Sequence, residues 1–209
     1  MIIKPEELKQ NGYELLDKLD HKELIPFVKK YLNKWTLTSI LYYGLNIVLF
    51  VIAIILFIDN AKHGDLKIFD WLFWYFIGFT ISFLLIPLHE YIHVVAYRSQ
   101  GARNTSYDAN LKKFYFMALA DRFVTSRKEF KVIALAPFTI ISIILILLIS
   151  FSSYNFTLTI LGILLSHTAM CSGDFGLLSY FEIYKSKEIV TYDEVDNKVS
   201  YFWGREKIK

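Results

Sequence analysis

Apolar positions in this chain run in long unbroken blocks, without the alternation that marks half-buried surface helices or strands. No Asp, Glu, Lys or Arg occurs between Lys34 and Asp59, between Asp70 and Glu90, or between Lys131 and Asp174. Each gap accommodates a spanning helix of about 20 residues, and the last accommodates two. The pattern predicts four membrane spans, at residues 36–58, 71–97, 132–153 and 156–181.

The segments between and around the spans are polar enough to read separately. Residues 5–33 set Leu8, Leu15, Leu16 and Leu19, then Leu24, Phe27, Val28 and Leu32, near helical spacing among charges. This predicts an amphipathic helix, broken near Pro26, lying on the bilayer or on the bundle. Residues 111–125, LKKFYFMALADRFVT, are rich in aromatic and β-prone residues and predict a short hairpin or a partly embedded strand pair. Ser126 and Glu129 form an S-x-x-E capping box that starts the third span. Pro87 and Pro137 fall inside helices and should bend them. The expected fold is mainly α: a multi-pass membrane bundle of four transmembrane helices with an N-terminal amphipathic helix and a short cytoplasmic β-hairpin. It divides into an arm (residues 1–34), a membrane domain (residues 35–182) and a tail of mixed charge (residues 183–209).

Composition agrees: 55% hydrophobic residues and a positive mean hydropathy exceed what an ordinary soluble domain carries. The N-terminus is polar for more than thirty residues, so no cleaved signal peptide is expected. The loop from Arg98 to Lys131 has eight Lys/Arg against three Asp/Glu, whereas that from Asp59 to Asp70 has two against three. Positive-inside counting places the basic loop and both termini in the cytoplasm of a cell membrane. The basic bias then needs no nucleic acid; the expected partners are the lipid bilayer and a polypeptide substrate. The frequent Ile, Lys, Asn, Phe and Tyr suggest an AT-rich bacterial genome. Cys171 is the sole cysteine, which excludes an intramolecular disulfide, and no pattern assigns an oligomeric state.

Against this apolar background, IPLHEYIHVVAY (residues 86–97) stands out. His89 and His93, four apart, point to one side of a helix and can share a tetrahedral zinc ion. Glu90, turned about a quarter of the way round from His89, is placed to take a proton from a metal-bound water. Ionisable groups at this depth are costly and usually mark function.

A third ligand is needed, and the fourth span offers His167, Cys171 and Asp174. His89 lies 18 residues past Trp71 and Asp174 lies 18 past Phe156, each about 27 Å along its helix. Asp174 thus matches the depth of the histidines, whereas His167 would lie about 10 Å shallower. A satisfied intrahelical histidine and a packed thiol are the expected roles of His167 and Cys171, with a supporting or substrate-contacting role as the alternative for His167.

The HEYIH helix, the basic loop with strand-like aromatic content, the ALAPF start of the third span and SGDFG in the last resemble a family of small zincin-type membrane peptidases filed as a domain of unknown function. Over residues 36–182 the chain is also similar to the core of site-2 intramembrane metalloproteases. That resemblance implies a zinc held by His89, His93 and Asp174, with Glu90 as the catalytic glutamate. It departs from the site-2 pattern in having Ser172-Gly173-Asp174-Phe175-Gly176 where an Asn and a Pro precede Leu-Asp-Gly, so no substrate-orienting asparagine is assigned.

The leading functional expectation is a membrane-embedded zinc metalloprotease performing intramembrane proteolysis. The alternative is a non-catalytic metal-binding protein, either a transporter or a pseudoprotease scaffold. The first span carries no acidic, basic or histidine residue, which speaks against a transport path. A third reading is a haem or quinone protein with His167 and either His89 or His93 as paired axial ligands, and the depth offset opposes it.

Overall fold

The charge-free blocks fold as helices. The computed structural model describes residues 3–63, 68–110 and 115–207. Helix α2 (Leu37–His63) and helix α5 (Arg127–Ile149) are each long and apolar enough to cross a membrane alone. The other two predicted spans are broken: α3 (Ile68–Leu84) with α4 (Ile86–Ser99) bends by 45°, and α6 (Tyr154–Met170) with α7 (Ser172–Ile183) by 43°. The chain is therefore mainly helical, with two to four candidate membrane spans.

Pro87 sits in the first turn of α4, where a missing N–H is tolerated, so the kink falls ahead of it at Leu85. Pro137 lies inside α5. The capping box forms as expected, with Ser126 N donating to Glu129 Oε2 at 2.7 Å and Glu129 N donating to Ser126 Oγ at 3.4 Å.

The chain divides into two compact units, Met1–Ser39 with Glu90–Ala136 and Gly173–Lys209, and Ile40–His89 with Pro137–Ser172. The second unit carries α3, α6 and most of α2 and α5. On α2, Ile47, Val48, Phe50 and Ile55 are all more than half exposed. Such a surface is incompatible with water at this extent and matches a helix facing lipid. Within this unit α3 and α6 cross closely, because Gly78 and Gly162 remove the side chains that would hold them apart. A Cβ at Gly78 would run into the carbonyl oxygen of Thr159, and one at Gly162 into that of Tyr75. Both obstacles are backbone, which cannot swing aside, so Gly78→Ala should cost about 1–3 kcal/mol. A lower denaturant midpoint for the detergent-solubilised variant would show it; an unchanged midpoint would mean that the crossing is looser than this.

The first unit holds the sheets, and here the sequence expectation needs correction. Residues 5–33 are not one amphipathic helix: after a 3-10 turn at Pro5–Glu7 they form strand β1 (Glu14–Asp20), a second turn at His21–Glu23 and then helix α1 (Leu24–Leu32). Strand β1 pairs antiparallel with β6 (Val199–Glu206), which pairs with β5 (Lys187–Glu194), which pairs with the short β4 (Thr125–Ser126). Residues of the expected tail supply the two central strands, whose β-branched and aromatic runs IVTY and YFW suit a pleated, half-buried surface. Gly12, at φ 77°, turns the chain into β1, where the edge of β6 satisfies its backbone groups.

The hairpin expected at 111–125 is partly displaced. Strand β3 (Tyr115–Ala120) pairs with β2 (Thr105–Asn110), Thr125 belongs to the other sheet, and residues 111–114 lie outside the described residues.

A buried polar network ties these pieces together. His21 is fully buried, with Nδ1 3.3 Å from Asp108 Oδ2 and Nε2 3.3 Å from Ser200 Oγ, while Ser200 donates to Asp193 Oδ1 at 2.6 Å. Burial favours the neutral acid at Asp108, but hydrogen bonds from Lys198 and His21 outweigh it and hold the carboxyl below its usual range. Hydrogen bonds from Arg205 do the same for Glu188. A carboxyl with a lowered folded pKa contributes stability above its unfolded value, about 4, and loses it as pH falls through the folded value. The sheet should therefore melt at lower temperature as pH drops below about 4, and Glu188→Gln should shallow that decline. A pH-independent melting temperature in the wild type would contradict it.

Candidate metal centre

Helix α4 carries the three motif residues. His89 closes its first turn, with its N–H donating to Leu85 O at 2.8 Å across the break, and Glu90 and His93 follow one turn apart. His89 and His93 are buried, at 9% and 7% exposed, and Glu90 is half-buried. One ligand atom from each of the three lies within 4.8 Å of the others. This is the compactness that a shared cation requires.

Asp174 occupies the first turn of α7, and its Oδ1 is 3.3 Å from His93 Nε2. The other ring nitrogen of His93, Nδ1, donates to Ile133 O at 2.9 Å on α5. That bond fixes the tautomer of the neutral ring, leaving Nε2 with its lone pair facing a carboxylate oxygen. Two acceptors so close need a proton or a cation between them. With zinc bonds of about 2.0–2.1 Å to nitrogen and 2.0–2.2 Å to oxygen, two ligands of a tetrahedral ion are about 3.4 Å apart. The observed separation is that of a close ion pair and is also compatible with two ligands of one ion.

His167 and Cys171 were expected to be packing residues, and the structure gives them more. His167, in the last turn of α6, places Nε2 3.2 Å from His89 Nδ1. Cys171 stands at the break between α6 and α7 with Sγ 4.0 Å from the same nitrogen. Counting along straight helices sets His167 about 10 Å from the level of His89, yet their ring nitrogens are 3.2 Å apart.

Comparison with known proteins places this arrangement. No curated protein and no solved structure matches the chain. A family model described as "Putative zincin peptidase" matches residues 82–189, just over half the chain, from ahead of the broken second span to the start of β5. Within that stretch stand His89, Glu90, His93, His167, Cys171 and Asp174. With the HExxH group assembled on one helix and the match running through it, the chain belongs to this zincin peptidase family.

Proposed function

We propose that the protein is a membrane-embedded zinc metallopeptidase that hydrolyses peptide bonds of membrane or membrane-proximal polypeptides. His89, His93 and Asp174 hold the metal and Glu90 is the catalytic base. The observation that carries this reading is the pairing of His93 Nε2 with Asp174 Oδ1 at 3.3 Å, on a ring locked by Ile133.

Bound there, zinc supplies a Lewis acid and brings the acidity of water towards pH 7. The chain's residues supply the rest. Ile133 orients the His93 ring, and Asp174 brings the one negative charge that balances a dication among neutral imidazoles. Glu90, between the two histidines in sequence, takes the proton from the attacking water and returns it to the departing amine.

A peptide bond within a helix is shielded, so the substrate is held extended. Strands β2 and β3 offer a backbone edge for such a segment, by strand addition. The basic loop and both termini are cytoplasmic on the positive-inside rule, so cleavage occurs at the cytoplasmic side of the bilayer.

Metal removal tests the proposal. The detergent-purified protein should cleave an unfolded polypeptide or a reconstituted transmembrane substrate, lose that activity on chelation and regain it with zinc. Cleavage that survives exhaustive chelation, or none by the zinc-replete protein on either substrate, would overturn it.

A further inference from the structure

A second set of metal-ligating side chains meets at His89, inside the second unit. His167 and Cys171 are four residues apart at the end of α6, the same spacing as His89 and His93 on α4, so both present their side chains to one side. Ligand atoms of His89, His167 and Cys171 all lie within 4.8 Å of one another. The His89–His167 separation is 3.2 Å and the His167–Cys171 separation is 4.0 Å. For a tetrahedral ion with bonds of about 2.05 Å to nitrogen and 2.3 Å to sulfur, the corresponding edges are about 3.4 and 3.6 Å. Both observed distances lie within a few tenths of an ångström of these values, so a cation needs only small rotations of the side chains.

The surroundings select the class of cation. His167 and Cys171 are 1% and 0% exposed. The set is two imidazoles and one thiol without a carboxylate, which suits zinc or copper(I) and disfavours magnesium or calcium. One cation can take a ligand atom from all three at once.

We propose that His89, His167 and Cys171 form a second, thiolate-containing position for a zinc-class cation, and that metal held there competes with the HExxH group for His89. Binding releases the thiol proton to solvent and leaves both histidines neutral, so charge and protons balance without a redox step. The ligand set stands without the peptidase reading; only its consequence for catalysis rests on that reading. Occupation draws on His89 and leaves the hydrolytic position one imidazole short, so the second position acts as a brake.

Cobalt(II) reads the site directly. The metal-free full-length protein in detergent, loaded with cobalt, should show a near-ultraviolet thiolate-to-metal charge-transfer band. The band should persist in His93→Ala, which dismantles the hydrolytic position, and vanish in Cys171→Ser. Cys171 is the only cysteine, so a thiolate band in the wild type assigns the ligand even where a variant fails to fold. Cobalt bound without that band, or no cobalt bound by His93→Ala that still folds, would overturn the second position. Peptide cleavage without the band defeats this proposal alone, and the band without cleavage defeats only the peptidase reading.

Discussion

Glu90→Gln is expected to lower turnover by about 10²–10⁴-fold, the usual contribution of a positioned general base, while leaving the zinc content of the purified protein unchanged. The substitution is nearly isosteric, and the residue sits one position from His89 on a helix whose first turn is fixed by the His89-to-Leu85 bond. Ligand geometry should therefore survive. What is lost is a carboxylate able to accept a proton, since a carboxamide has no comparable basicity. Elemental analysis and cleavage assays on the same preparation separate the two effects. Wild-type turnover by the variant would leave Glu90 without a catalytic role and favour the non-catalytic metal-binding reading. Loss of both zinc and turnover would instead make Glu90 part of the metal shell.

The features that sequence exposes here are those that depend on local rules. Charge-free blocks give the spans because an ionised group in hydrocarbon is expensive wherever it occurs. Ser126 and Glu129 announce the start of α5 because a capping box needs only four consecutive residues. The HExxH spacing places three side chains on α4 for the same reason. Asp174 stands out in the sequence as the one acidic residue in a long apolar run, and it lies 3.3 Å from His93.

Contacts that depend on distant partners were not legible. Leu15, Leu16 and Leu19 suit a helix as well as a strand, and the edge of β6, nearly two hundred residues away, decides for the strand. Strands β5 and β6 looked like a tail because charged residues flank them, although the same residues alternate with IVTY and YFW. His167 escaped because its contact with His89 joins residues 78 apart on two different helices, which counting along each helix by itself does not place.

Asp174 carries the second large effect, and the presence of two ligand sets sharing His89 decides how it must be measured. Asp174→Ala removes the only anionic ligand proposed for the hydrolytic position, leaving two neutral imidazoles to hold a dication. Changes to residues that merely support a metal ligand commonly cost 10–100-fold in affinity, so losing a ligand should cost at least about 100-fold. In the single variant, however, zinc can still be held by His89, His167 and Cys171, and total metal content would understate the loss. The informative background is Cys171→Ser. That variant alone should retain about one zinc per chain after dialysis, and Asp174→Ala added to it should retain almost none, with elemental analysis as the readout and size-exclusion chromatography to confirm folding. One full equivalent of zinc in the folded double variant would exclude Asp174 as a ligand, because neither carboxylate nor thiolate would then be needed to hold the ion.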